Sequence, residues 1–222
     1  MKRRFLMICI VLIGCLQGSL NARSEQQAIP LPGHQDTAEL RILVDTEDAA
    51  FTRDVLSAHV LVHRSESDFA EIELPIAGHA VSSAAAALDK PIEIQAGYHG
   101  VMQTLFAGRC ISQRIVARKD ASDCLVLHCE NPVKKGLYQN PDRTPVLTLM
   151  YKSTVLDFDI LREPDHVIHG DLWIKGTADS VLDRYVELQG FPAGFNRLVR
   201  VQRVEHQWRS KEWTTGLNVV SD

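Results

Sequence analysis

The sequence lacks every short motif from which an active site is usually read. It has no P-loop, no nucleophile elbow and no zincin pair. It has no basic run, and a net charge of −4 over 222 residues gives no footprint for nucleic acid. Cysteine is scarce: past residue 22 only Cys110, Cys124 and Cys129 remain, an odd number that one chain cannot fully pair. Cys124 and Cys129 lie five positions apart, so on a regular strand they face opposite ways and cannot share a metal ion. Cys110 lies on the preceding strand and can approach Cys129. A buried free thiol is the expectation there, and a disulfide the alternative. Helical patterning is confined to residues 80–89, whose alanines give propensity but little to bury.

The nine histidines do not assemble into a metal site on paper. His59 and His63 share a strand face but sit about 13 Å apart at strand rise. His166 and His169 face opposite ways on a regular strand, and His169 with Asp171, about 6.6 Å apart, make an ordinary pair. Glu93 and Glu187 are strand carboxylates of the kind that are solvated or ion-paired. Trp173, Trp208 and Trp213 read as core or interface residues. No catalytic, cofactor-binding or metal-binding residue is therefore assigned, no cofactor is expected, and the chain is read as non-enzymatic.

What the sequence has instead is β patterning on an ordinary globular composition, 45% hydrophobic and 23% charged. Residues 40–44 form a strand, and 55–64 a longer one with Ala58, Val60 and Val62 on one face. In 69–75, Ala70, Ile72 and Leu74 alternate with Phe69, Glu71 and Glu73, as in a half-buried strand. Residues 105–117 make a long strand expected to bend near Gly108, returned by 123–130. Residues 145–151 and 154–161 are expected to pair as a hairpin around Lys152 and Ser153, and 167–175 is a further strand. Short polar turns between long strands imply antiparallel pairing.

Ahead of this, Lys2, Arg3 and Arg4 followed by an apolar run over 5–14 read as an export leader at 1–22, too short to span a bilayer. Leu12-Ile13-Gly14-Cys15 resembles a lipobox, which would make Cys15 a lipidation site. Conventional cleavage after Gly18 or Ala22 is the alternative. A polar, proline-bearing linker over 23–38 leads into the fold.

The chain also repeats itself. Ile92-Glu93-Ile94-Gln95-Ala96-Gly97, Phe106 and Gln113-Arg114-Ile115 recur as Val186-Glu187-Leu188-Gln189-Gly190, Phe195 and Gln202-Arg203-Val204. Phe106 to Phe195 and Gln113 to Gln202 are both spaced by 89 positions. Such a repeat constrains architecture more than any single residue does. The expected fold is all-β: two similar antiparallel β-barrels with one short helix, the first over 39–138 and the second over 139–222.

The ordered series Ile92–Gly100, Leu105-Phe106-Ala107-Gly108, Leu125–Cys129, Pro145–Tyr151, Gly176-Thr177-Ala178-Asp179, Val186–Phe191 and Trp213-Thr214-Thr215 resembles the VgrG spike proteins of type VI secretion. Phage late control protein D and tail-hub proteins belong to the same family. The resemblance covers the two tube-forming barrels and none of the spike. It implies a homotrimer whose two barrels per chain give a ring of six similar positions. That ring would connect a tail tube, built of Hcp-like subunits, to a spike protein. No nucleic acid is implied, and a membrane only through a lipid anchor on Cys15. The leader stands apart from the family. If it functions, the chain is periplasmic or lipid-anchored, and an exported binding module of the bacterial envelope is the alternative function. If not, assembly is cytoplasmic.

Overall fold

A computed structural model describes residues 37–64, 66–76, 80–117, 123–132, 142–177 and 181–221. In chain order it has β1 (Glu39–Val44), β2 (Glu47–Asp48), a 3-10 turn (Ala50–Asp54), β3 (Ser57–His63), β4 (Asp68–Pro75), α1 (Ala80–Ala85), β5 (Pro91–Tyr98), β6 (Val101–Val116) and β7 (Cys124–Asn131). There follow β8 (Leu147–Met150), β9 (Val155–Arg162), β10 (Ile168–Lys175), β11 (Tyr185–Gln189), β12 (Leu198–Arg209) and β13 (Glu212–Val220). The chain is thus mostly antiparallel β with one short helix.

Period-two burial explains the clearest of these strands. In β4, Asp68, Ala70, Ile72 and Leu74 are buried while the residues between them are half-exposed. In β5, Ile92, Ile94 and Ala96 are buried. Gly97 lies inside β5, just ahead of the turn. A side chain there would place its Cβ 1.8 Å from the Val101 carbonyl oxygen, so only glycine lets β6 approach so closely. The turn itself is His99-Gly100, both in the left-handed region (φ 54° and 78°), the geometry of a two-residue hairpin. The bend expected at Gly108 falls instead at Ile111. Cys110 pairs with Cys129 and Ser112 with His128, so Ile111 is the extra residue of a β-bulge. Helix α1 packs on the 3-10 turn and on β4. Its C-terminal carbonyls at Ala84 and Ala85 accept hydrogen bonds from the Gln113 side chain.

The strand order is β2-β1-β5-β6-β7-β4-β3-β12-β13-β10-β9, with β11 on β12 and β8 on β11. The halves β1-β5-β6-β7-β4-β3 and β8-β11-β12-β13-β10-β9 place their first, fourth, fifth, sixth, third and second strands in the same sequence. The chain is one six-stranded unit made twice. Each unit has its own buried cluster, one around Ile42, Ile72, Ile94 and Leu127, the other around Leu149, Leu172, Leu188 and Leu217. Among the described residues, the hydrogen-bonded path closes neither unit on itself. β3 leaves the first unit to pair with β12 of the second, so the two form one sheet.

The expected hairpin of 145–151 with 154–161 does not form. After β8, Ser153 and Thr154 both donate their amides to the Met150 carbonyl, and the Thr154 hydroxyl accepts the Met150 amide at 2.7 Å. This single helical turn satisfies the groups a hairpin would have paired and sends β9 away from β8. β9 then pairs with β10, and β8 lies parallel to β11, matching Leu147 to Val186 and Leu149 to Leu188.

Candidate interaction surface at the seam and the open edges

The seam between the units is the best-defined polar feature of the molecule. β3 and β12 run antiparallel, with Val60 opposite His206 and His59 opposite Gln207. On the outer face, His59 Nε2 and Glu205 Oε1 lie 2.9 Å apart, and the Gln207 amide donates to the same carboxylate at 2.8 Å. The His59 contact, then that of Gln207, holds the Glu205 carboxyl below its usual range. A shallow groove of about 310 Å³ runs along this seam, lined by Ser57, His59, Glu73, Glu205, Trp208 and Arg209. Its mixed, exposed walls offer no convergent set of groups for a small molecule.

On the inner face the seam is apolar and tightly committed. Trp213, at the start of β13, stacks on Tyr98 of the first unit with ring centroids 5.5 Å apart, and so belongs to the first unit's core. His206 is buried beside it. Its Nδ1 lies 3.1 Å from the Thr215 hydroxyl, which in turn donates to the Thr177 carbonyl. Burial pushes the His206 imidazole down to about 4, so it is neutral at pH 7. At the seam's far end Asp183, 5% exposed, takes Arg200 of its own unit and, at 3.1 Å, Arg64 from the end of β3.

The remaining sequence candidates fall into structural roles. Cys15 lies outside the described residues. Cys110 and Cys129 sit directly opposite each other as free thiols, both fully buried, and Cys124 is buried on the other face. The contact with Cys110, then burial, pushes the Cys129 thiol up, so it stays protonated. Their counterparts in the second unit are Val201 and Val219, which identifies the pair as small apolar core residues. Glu93 accepts hydrogen bonds from Thr104 and Gln95, which hold it below the usual carboxylate range. Glu187 likewise accepts a hydrogen bond from the Gln189 side-chain amide. The repeated Glu-x-Gln is therefore a repeated strand-surface contact. His63 lies 3.8 Å from Glu66, His169 3.1 Å from Glu163, and His166 bonds Arg162 from a turn rather than a strand. Asp171 faces Asn218 and Arg203 rather than His169. Among the described residues, no three histidine, cysteine or acidic side chains cluster as metal ligands would. Trp173 covers Gly216, and Trp208 stands opposite Trp213 across the β12–β13 ladder.

What sequence reading missed is two of the strand edges that, among the described residues, have no partner strand. β12 is shared along one edge: residues 198–200 carry β11, and 203–209 carry β3. In β6 the matching edge carries β5 over 101–109, but among the described residues no strand covers 112–116. At one end of the path, β9 pairs among the described residues with β10 alone. Exposed apolar side chains gather on these same two strands: Ile111 and Ile115 on β6, and Leu156, Phe158 and Leu161 on β9.

No family model and no curated protein matches the sequence. Solved structures do. A tail protein from Neisseria meningitidis MC58 aligns over 83% of this chain and 96% of its own, at 10% identity and a TM-score of 0.58. A 43 kDa tail protein of prophage MuSo2 from Shewanella oneidensis aligns over 82% and 96%, at 4% identity and a TM-score of 0.53. These two show that the chain has the fold of phage tail proteins. An Escherichia coli component of the type VI secretion system aligns over 86% and 76%, at 10% identity, with a TM-score of only 0.44.

Proposed function

We propose that this chain is a non-enzymatic structural component of a phage-tail-like apparatus, a hub or tube segment that assembles as a ring. The observation that carries this reading is the duplicated six-stranded unit in a tail-protein fold. The first unit lends its outer strand β3 to the second, while among the described residues an acceptor edge on β6 and a donor strand on β9 stay open. A chain that joins two similar units internally, and leaves the same joint half-made at each end, is built to continue. Each unit acts as a barrel-like module around its own core, and three chains would supply six such positions. A six-subunit tail tube and a three-fold spike protein are the partners such a ring fits. The flat, unfocused groove at the seam supports a non-enzymatic role.

Light scattering on the purified chain, followed by negative-stain imaging of the same peak, tests the proposal. A trimer of ring shape is expected, and a monomer across a wide concentration range would remove the tube function. In that case the basic and apolar leader over 1–22 supports a second reading, an exported binding module anchored through Cys15. Mass spectrometry of the membrane fraction would detect the lipidated cysteine.

A further inference from the structure

We infer that copies of this chain join by adding β9 of one copy, antiparallel, to the open edge of β6 in the next, in the register that β3 holds on β12 within the chain. The inference rests on the ring reading and specifies its joint.

The two units can be superposed through their ladders alone. The bulged residues are Ile111 in β6 and Gln202 in β12, which makes Gln113 equivalent to Val204 and Ile115 equivalent to His206. On the donor side, Val60 pairs with Ala70, and Ala70 with Cys129. Ile160 pairs with Gly170, and Gly170 with Val219. Cys129 and Val219 are themselves equivalent, so Ile160 stands where Val60 stands. Within the chain Val60 faces His206. Between copies, therefore, Ile160 faces Ile115.

The side chains agree with this register. Ile115 is 70% exposed, the most exposed large apolar residue among the described residues, and the joint covers it with another isoleucine. Ile160 packs on the second unit's core, just as Val60 lies in the first unit's core. On the outer face, the counterpart of Glu205 is Arg114 and the counterpart of His59 is Asp159. The seam contact of 2.9 Å between His59 and Glu205 is thus matched by an arginine and an aspartate, with the signs exchanged. Arg114 already reaches Glu71 at 3.1 Å, which places its guanidinium on that face. A donor strand at one end and an acceptor edge at the other make the contact heterologous, so it propagates until a ring closes. It also covers two edges that would otherwise template aggregation.

Cysteine cross-linking of the full chain decides the register. Residues directly opposite in an antiparallel pair have Cα atoms about 4.5 to 5.5 Å apart, within the span of a disulfide. Under mild oxidation, the double variant Ile115→Cys with Ile160→Cys is expected to shift most of the chain into covalent multiples that collapse on reduction. With Cys9 and Cys15 replaced by serine in every variant, each single variant should stay at the mass of one chain, since Cys110, Cys124 and Cys129 are buried. Moving the donor cysteine two residues, as Ile115→Cys with Phe158→Cys, should abolish the multiples. Cross-linking of the shifted pair in place of the first would overturn the register. Oligomers by light scattering that cross-link at neither pair would overturn the joint and leave the ring reading standing. A monomer by light scattering would overturn both.

Discussion

His206 shows how much one buried side chain can set. An unfolded chain protonates this histidine near pH 6.5, whereas burial in the fold delays protonation to about 4. Below pH 6.5 the unfolded state therefore binds more protons than the native state. The histidine's contribution is intact above pH 6.5 and is lost as pH falls from about 6.5 to about 4. Summed over that window, the loss is about 3 kcal/mol. Urea unfolding at pH 7 and at pH 4.5 should show this drop in the native chain, and a flatter dependence in His206→Gln. An unchanged slope would mean that His206 is hydrated. Nothing in the sequence marks His206 among nine histidines. Its partner Thr215 and its cover Trp213 arrive from the next strand, and burial of that kind is a tertiary fact. The cysteines were more legible. Their odd number and spacing pointed to buried thiols, and the ladder places Cys110 against Cys129 as free thiols.

At the scale of elements, alternation was the reliable signal. β4 and β5 could be read from their apolar residues because one face is buried and the other is not. Pairing could not be read. The link at 151–154 has the length of a hairpin turn, yet hydrogen bonds back to Met150 turn it into a helical turn and leave β8 to pair in parallel with β11. The repeat was legible in its opening strands, where the ladders equate Ile92 with Val186 as the likeness of residues does, but was misaligned by two residues in the long strands. Bulge against bulge gives a spacing of 91, where likeness of residues gave 89. A shift of two keeps every side chain on its own face, so the amphipathic pattern cannot detect it. The β12–β13 turn carries a further consequence. Ser210 and Lys211 both hold positive φ, 52° and 66°, which L-residues adopt at a cost and Asn-Gly adopts readily. Replacing the pair by Asn-Gly should stabilise the chain by about 1 kcal/mol and raise Tm by roughly 2 to 4 °C. Scanning calorimetry would measure the shift, and a lower Tm would show that the Lys211 side chain contributes more than its backbone strain costs.

The whole molecule depends on contacts that cross from one unit to the other. Trp213 sits in the second unit's chain and the first unit's core, and Asp183 holds one arginine from each unit. Asp183→Asn keeps a residue that tolerates the local φ of 61° but leaves Arg200, 14% exposed, without its counter-charge. Breaking a buried pair in this way should cost about 3 kcal/mol. It should lower the urea midpoint with little change in slope, since the surface exposed on unfolding is the same. A loss within a few tenths of a kcal/mol would mean that water replaces the carboxylate.

By itself the sequence determined the β class, most strand positions, the presence of a duplicated unit and the likeness to tail proteins. The first three are written in local alternation and in the order of elements, which a one-dimensional string retains, and the likeness in an ordered series of short residue motifs. The structure decided that the units share one sheet through β3 and β12, that β8 is parallel, and that among the described residues β6 and β9 keep open edges. Each of these depends on which distant strand satisfies a row of backbone amides. Every strand offers the same amides, so the choice is made only when the two cores pack against each other.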